Sequence, residues 1–122
     1  MARPVHFELC ADSPERAAAF YGEVFGWEVH KWDGEYDYWL LLTGDDDEPG
    51  INGGIVHRDD SVAGTANIVH VPSLDLALMR VQDAGGTVIH ARQTLAGVGY
   101  LAYCRDTEGN AFGLMERDDT AA

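Results

Sequence analysis

The chain has 122 residues, 46% of them hydrophobic, so it is long enough to form one packed domain with its own core. Its 21 acidic and 8 basic residues give a net charge of −13, which argues against nucleic acid or an anionic membrane surface as a partner. No signal peptide and no run of about 18 apolar residues is visible, so we expect a cytoplasmic protein without a membrane partner.

The first predicted elements are a strand over Pro4–Cys10 and a helix from about Pro14 to Phe25. Alternation along the strand places three side chains on one face, those of His6, Glu8 and Cys10. Ser13 is a suitable N-cap, proline favours the first helical position, and Gly26 ends the pattern. The helix positions expected to face the core are Ala17, Phe20, Tyr21, Val24 and Phe25.

Three more strands complete the first half of the chain. They are predicted at about 27–32, 36–43 and 51–57, with a hairpin signal at Asp33-Gly34 and an acidic loop over 44–50. The segment Arg58–Gly64, which contains Asp59-Asp60-Ser61, indicates the connection to the second half. Cys10 and Cys104 lie in strand-like apolar runs, so we expect them to be buried, reduced thiols.

The second half repeats this order of elements. A strand is predicted at 65–71, a helix at 74–84, and further strands at 87–91, 99–105 and 111–116. The order is βαβββ twice, at about 3–58 and 65–117, and we expect one domain spanning 1–122. Segments 53–58 and 112–117 match at a constant offset, which pairs Gly54 with Gly113. We further interpret His6 and Asn67 as corresponding positions.

Three motifs carry a resemblance to a known superfamily. They are FYGEVFGW at 20–27, AGGTV at 84–88 and YCRDTEGN at 103–110. In register with the duplication, they make the chain similar to the vicinal oxygen chelate superfamily, which includes glyoxalase I, bleomycin resistance proteins and extradiol dioxygenases. The resemblance covers nearly the whole chain. It implies an α+β fold in which two βαβββ modules form curved mixed sheets enclosing a cavity, and it implies a homodimer.

The resemblance also implies where a metal ion would be held. Glyoxalase-like members place ligands on the first and fourth strands of each module, and the matching positions here are His6, Gly54, Asn67 and Gly113. Glycine has no side-chain donor, and neutral asparagine is a poor ligand for a divalent transition metal. His6 is therefore the one retained ligand-type residue. We expect no metal or other cofactor, and a divalent metal held with the help of Glu8 is the less favoured alternative.

The cavity is expected to bind a small molecule. Glycine on a strand that faces a ligand permits close approach, and an apolar wall with few polar groups is typical of such sites. The expected lining residues are His6, Glu8, Trp39, Gly54, Val56, Asn67, Val69, Tyr100, Gly113 and Met115. The alternative is that His6 is a core histidine satisfied by Asn67, and that the aromatic side chains belong to the core.

Three functions stay open from the sequence. The favoured one is a metal-independent, bleomycin-resistance-like protein that sequesters a cationic or aromatic compound, with Tyr38, Trp39 and Tyr100 as stacking surfaces. The second is a lyase, isomerase or dioxygenase-type enzyme of the same superfamily. It would use His6 and Glu8 as a general acid–base pair, with or without a divalent metal, and Asn67 as oxyanion donor. The third is a regulatory or interaction module of a larger assembly.

Overall fold

Each half of the chain folds as a βαβββ module, as the duplication predicts. The computed structural model describes residues 2–59, 62 and 64–122. One compact unit comprises His6–Thr65, and the other comprises Ala66–Ala122 with the residues up to Val5. The α+β class is thereby confirmed, whereas Asp60 and Ser61 of the predicted connection lie outside the described residues. In the described part of the chain, neither helix is long and apolar enough to cross a membrane.

The N-terminal module is a four-stranded mixed sheet with one helix. Its elements are β1 (Arg3–Ala11), α1 (Pro14–Phe25), β2 (Glu28–Lys31), β3 (Trp39–Leu42) and β4 (Asn52–His57). The strand order is β2-β3-β4-β1, with β1 parallel to β4 and the other pairs antiparallel. The predicted bounds of α1 are confirmed. The Ser13 side chain accepts a hydrogen bond from the Arg16 backbone N–H at 3.3 Å, and Gly26 ends the helix at φ 75°.

The core of this module lies between α1 and one face of its sheet. The buried core residues are Ala11, Ala18, Trp39, Leu41 and Ile55. Because strand side chains alternate, the residues between them point to the other side of the sheet. We call that other side the helix-distal face. It carries His6, Glu8, Cys10, Leu40, Gly54 and Val56.

The exposure of α1 corrects its predicted core-facing stripe. Pro14 and Ala18 are the buried residues of this helix, whereas Phe20, Val24 and Phe25 are 59%, 53% and 59% exposed. Phe20 and Val24 follow Ala18 by two and six residues. At 3.6 residues per turn these spacings turn both side chains away from the direction of Ala18. The helix therefore has more apolar surface than its sheet covers.

The C-terminal module repeats the architecture. Its elements are β5 (Thr65–His70), α2 (Leu74–Asp83), β6 (Thr87–Leu95), β7 (Gly99–Arg105) and β8 (Ala111–Arg117), in the order β5-β8-β7-β6. Strand β6 is longer than predicted because it pairs with β7 as far as Leu95, across two irregularities in register. The helix-facing core comprises Val71, Leu74, Ala102, Cys104 and Leu114. Cys104 is buried and Cys10 partly buried, and both are free thiols, as expected.

The strand registers correct one predicted correspondence between the modules. Glu8 of β1 lies beside Gly54 of β4, and Ile68 of β5 lies beside Gly113 of β8. With the two glycines equivalent, the position that matches Glu8 is Ile68. By the same register, the position that matches His6 is Ala66 rather than Asn67, one residue from the predicted match. A shift of one residue moves a strand side chain to the opposite face.

Candidate functional site

The helix-distal face of the N-terminal module brings together the polar residues of β1. Glu8 lies beside Gly54, and Gly54 lies beside Leu40 on the next strand. Glu8 is 3% exposed and is the one charged side chain found buried among the described residues. A carboxylate is therefore enclosed on a sheet face whose neighbouring strands contribute glycine and leucine.

Tyr38 packs against His6 on this face. The phenolic oxygen of Tyr38 lies 2.6 Å from Nε2 of His6, within hydrogen-bond distance. The two rings are stacked, with centroids 6.2 Å apart and planes inclined by 21°. The imidazole tautomer decides whether the phenol donates or accepts in this bond. The pair can therefore carry a proton between a ring nitrogen and a phenolic oxygen.

Gly54 makes room for the phenol of Tyr38. A Cβ at position 54 would overlap the Tyr38 ring, and one at position 53 would overlap the ring of Phe7 on the opposite face. The sequence predicted that Gly54 leaves space for a ligand, and in the structure a side chain of the same module fills that space. Tyr38 was predicted as a stacking surface, but its pairing with His6 has no local sequence signal. The one sequence feature related to the His6–Tyr38 contact is Gly54, which leaves space for the phenol.

The thiol of Cys10 reports the electrostatics of this face. Burial raises the pKa of the Cys10 thiol above its usual value, the Glu8 carboxylate raises it further, and Arg58 opposes the shift. The thiol donates a hydrogen bond to the carbonyl oxygen of Val62, with Sγ 2.9 Å from that oxygen. Cys10 is thus held as a neutral thiol near a negative group, which makes it a poor nucleophile at neutral pH.

The predicted lining residues of the C-terminal module lie on two different faces. Gly113 and Met115 share the helix-distal face with Ile68, whose side chain fills the space beside Gly113. The other three, Asn67, Val69 and Tyr100, lie on the helix-facing side, where Val69 and Tyr100 pack against the core. Asn67 therefore cannot act together with Gly113 on one wall.

The helix-distal face of this module also carries a histidine–tyrosine contact that the sequence did not predict. The His90 and Tyr103 rings meet edge to face, with centroids 6.1 Å apart. Tyr103 lies beside Gly113 in the register of β7 and β8. His90 is in β6, which extends beyond its predicted bounds and pairs irregularly with β7, so alternation along the sequence gave no guide to its face.

Trp39 belongs to another surface than the one predicted for it. Alternate residues of β3 point to opposite sides, so Trp39 lies in the helix-facing core with Leu41, away from Glu8 and Gly54. Its ring borders a depression of about 310 Å³ at the start of α1. Asp37, Lys31 and His57 also line the depression, and the Asp37 carboxylate lies 3.5 Å from Nζ of Lys31 and 3.4 Å from Nε2 of His57.

The positions at which the resemblance implies metal ligands offer few side-chain donors. Of the positions implied by the resemblance, Gly54 and Gly113 have no side-chain donor, and Asn67 lies on the helix-facing side. Across residues 2–59, 62 and 64–122, no three His, Cys, Asp or Glu side chains are grouped closely enough to hold a metal ion. His6 and Glu8 provide fewer ligands than the three that catalytic zinc sites use.

Comparison with known proteins agrees with the fold. A family model described as a glyoxalase-like domain matches residues 5–115. A methylmalonyl-CoA epimerase in complex with methylmalonyl-CoA and NH4+ is similar in structure, with a TM-score of 0.73, 16% identity, and coverage of 100% of this chain and 99% of that chain. A Streptomyces coelicolor methylmalonyl-CoA epimerase variant in complex with 2-nitronate-propionyl-CoA has a TM-score of 0.72 and 16% identity, with coverage of 98% of this chain and 97% of that chain.

A structure without an assigned activity is similar as well. The hypothetical protein BH1468 from Bacillus halodurans C-125 has a TM-score of 0.70 and 12% identity, with coverage of 99% of this chain and 98% of that chain. None of the curated proteins matches the chain in sequence. At these identities the structural similarity concerns the fold alone.

Proposed function

Because the chain belongs to the glyoxalase-like domain family, we propose that it binds a small organic molecule on the helix-distal face of its N-terminal module. The groups that contact the ligand are the carboxylate of Glu8 and the paired rings of His6 and Tyr38. In the C-terminal module, Ala66 and Ile68 stand at the positions of His6 and Glu8. The proposal includes a cytoplasmic location.

The burial of Glu8 is the observation that carries this proposal. Enclosing a carboxylate costs desolvation free energy even when it is hydrogen-bonded. The fold itself does not need this carboxylate, because the corresponding position of the C-terminal module is Ile68, which is buried beside Gly113. A buried carboxylate lowers stability at a position where an apolar side chain is sufficient for folding. This pattern is expected of a residue that is kept for function.

The chemistry of this face favours a ligand with a cationic or hydrogen-bond-donating group attached to an aromatic ring. Glu8 accepts hydrogen bonds and attracts positive charge, and the net charge of −13 strengthens that attraction. The stacked rings of His6 and Tyr38 offer a flat surface for an aromatic group. Such binding needs no metal ion.

Thermal shift measurements with a chemical panel test this proposal. The panel contains aromatic amines, neutral aromatics of matched size, and acyl-CoA thioesters. An aromatic amine should raise the melting temperature of the wild type and of His57→Ala, a control histidine on the opposite face, but not of His6→Ala or Glu8→Gln. A shift that survives in both site variants, or no shift with any compound, would reject the proposed site.

A second candidate function is proton transfer at a carbon next to a carbonyl group. The observation that favours it is the 2.6 Å contact between the His6 imidazole and the Tyr38 phenol, beside the buried Glu8. Glu8 or His6 would remove the proton, and the phenol would donate a hydrogen bond to the resulting enolate oxygen. Tyr38 would thus take the oxyanion role expected of Asn67. The solved epimerase structures share this fold.

Isotope exchange separates this candidate from binding alone. Methylmalonyl-CoA incubated in D2O with the wild type would gain deuterium at C2 if the face abstracts that proton. The gain should fall at least about a hundredfold in Glu8→Gln or His6→Ala, the lower range for a general acid–base group. If exchange with the wild type occurs only at the uncatalysed rate, methylmalonyl-CoA is excluded as a substrate. The net charge of −13 acts against this substrate, because it repels the phosphates of CoA.

A further inference from the structure

Two neighbouring residues in front of β3 contact opposite sides of the sheet. Tyr38 reaches His6 on the helix-distal face, whereas the carboxylate of Asp37 contacts Lys31 and His57 on the helix-facing side. We propose that Asp37 is a positioning residue of the candidate site, which holds the chain before β3 so that Tyr38 meets His6. This inference deepens the proposed function and rests on it for every statement about a ligand.

The carboxylate of Asp37 connects strands at the point where the backbone pairing of β3 with β4 ends. That pairing runs from Leu41 to Trp39, which lies beside Ile55. Continued by two residues, the same register sets Asp37 opposite His57, the last residue of β4. The side-chain contact between these two residues therefore follows directly on the backbone ladder.

Asp37 contacts both strands that flank β3. Its carboxylate lies 3.4 Å from Nε2 of His57 on β4 and 3.5 Å from Nζ of Lys31 on β2. We call these two contacts the Asp37 bridge. Lys31 is its permanent cation, since an imidazole is charged only when protonated. Opposite charges on neighbouring strands attract one another, so the bridge ties the segment before β3 to both of its neighbours.

Tyr38 depends on an accurate backbone position because its side chain crosses a strand. His6 belongs to β1, and β4 lies between β1 and β3. The phenol passes over Gly54 to reach the imidazole. A small backbone displacement is enlarged at the end of a long side chain, and hydrogen bonds weaken steeply outside a narrow range of distance and angle. Fixing Asp37 therefore fixes the contact made by its neighbour.

The exposure of the Asp37 bridge indicates a local rather than a global role. The side chains of Asp37, Lys31 and His57 are 58%, 56% and 56% exposed. Exposed ion pairs contribute little to the free energy of unfolding, because water screens them. A small free energy is nevertheless sufficient to select one position of a short segment. We therefore expect Asp37→Asn to fold and to change the position of Tyr38.

The imidazole of His6 reports the position of Tyr38 without any ligand. The ¹⁵N signal of its Nε2 atom depends on the hydrogen bond, and Tyr38→Phe gives the signal without that bond. Asp37→Asn should move the signal toward the Tyr38→Phe position by at least about a tenth of the full displacement. Spectra from about pH 6 to about pH 9 separate this effect from protonation of the ring.

Glu35→Gln is the matched control for Asp37→Asn. Glu35 is exposed and lies in the same connection between β2 and β3, so its substitution removes the same charge from the same segment. The His6 signal should stay in place in this variant. An unmoved His6 signal in folded Asp37→Asn, or equal movement in Asp37→Asn and Glu35→Gln, overturns the proposal.

Substitution of the two partners tests whether Asp37 acts through its bridge. The double variant Lys31→Gln/His57→Gln should move the His6 signal as far as Asp37→Asn does, and adding Asp37→Asn to it should move the signal no further. His57→Gln alone keeps the Lys31 contact and should have a smaller effect. Asp37→Glu keeps the carboxylate and should restore part of the wild-type position. An effect of Asp37→Asn that is equal with and without the two partners rejects the bridge as its cause.

The affinity for an aromatic amine that raises the melting temperature measures the consequence for the site. Asp37→Asn should raise the Kd roughly threefold to fivefold, and Glu35→Gln should leave it within about twofold. If no compound of the panel binds the wild type, the proposed function fails, whereas the His6 signal still decides the role of Asp37. An unchanged Kd in Asp37→Asn, despite a moved His6 signal, rejects Asp37 as a positioning residue of the ligand site.

Discussion

Nε2 of His6 and the phenolic oxygen of Tyr38 lie 2.6 Å apart on the helix-distal face of the N-terminal module. The contact links the first strand to the segment that precedes β3, across a separation of 32 residues. It is possible because Gly54 has no side chain to compete with the phenol. The contact and the burial of Glu8 together define the candidate site.

The hydroxyl of Tyr38 should contribute measurably to stability. Tyr38→Phe keeps the ring and removes the hydrogen bond to His6, which should cost about 1 kcal/mol in the free energy of unfolding. Urea denaturation at pH 7 measures the change. Tyr36→Phe is the matched control, because Tyr36 is exposed and should tolerate the loss of its hydroxyl. Equal stabilities of Tyr38→Phe and the wild type would show that the contact contributes nothing.

The absence of a side chain at Gly54 should matter because of Tyr38. Gly54→Ala forces the phenol aside, and we expect a loss of roughly 1 kcal/mol, modest because the end of a flexible side chain can move. In a Tyr38→Ala background the same substitution should cost much less, and this difference is the coupling energy of a double-mutant cycle. A coupling energy near zero would mean that the backbone, rather than Tyr38, requires glycine.

The reactivity of Cys10 should depend on the charge of Glu8. Since the carboxylate raises the pKa of the Cys10 thiol, Glu8→Gln should lower that pKa and speed alkylation by iodoacetamide at pH 8. Cys104 serves as the internal control, because burial alone raises the pKa of its thiol. Peptide mass spectrometry follows the two thiols separately. A rate at Cys10 that is unchanged relative to Cys104 would argue that Glu8 carries no negative charge near it.

The turn before β8 should give a defined acid dependence. Backbone and side-chain hydrogen bonds from Asn110, with a further bond from the Glu108 backbone, hold the pKa of Asp106 below its usual value of 3.8. A carboxyl group with a lowered pKa in the folded state stabilises the fold above its unfolded pKa, and this contribution is lost as pH falls through the folded pKa.

The corresponding variant is Asp106→Asn. It should melt below the wild type at pH 7, and the gap should narrow as pH falls below 3.8 and close once the carboxyl is protonated in the folded wild type as well. Asp119→Asn, an exposed acid in the C-terminal segment, is the control and should show no gap at pH 7 or at low pH. If the difference in melting temperature between Asp106→Asn and the wild type stays the same at low pH, the destabilisation comes from changed hydrogen-bond geometry in the turn rather than from the lost charge.

Local signals in the sequence were sufficient for the order of elements. Ser13 and Gly26 bound α1 because a cap and a left-handed glycine act on their own neighbourhood. Strand β7 likewise has its predicted bounds, Gly99–Arg105. The predicted start of β3 at Tyr36 was too early. The described strand begins at Trp39, because the preceding segment carries Tyr38 toward His6 rather than continuing the ladder.

Local signals could not predict which side of the sheet each strand side chain occupies. The spacing from Glu8 to Ile68 is one residue longer than that from Gly54 to Gly113, so one constant offset cannot align both pairs of strands. The prediction matched His6 with Asn67, a spacing of 61 residues where the register gives 60, and this shift of one residue placed Asn67 on the wrong face. Alternation also cannot tell which face of β3 the helix covers, and Trp39 was assigned to the wrong one. These choices depend on long-range packing.

The location of the ligand is tested most directly by the histidine ring resonances of the protein. With ¹³C-labelled histidine, titration with an aromatic amine that raises the melting temperature should shift the His6 signal and leave that of His57, on the opposite face, in place. The same compound should shift no histidine signal in Glu8→Gln at equal concentration. Movement of the His57 signal with His6 unchanged would place the ligand in the depression beside Trp39 and contradict the proposed site.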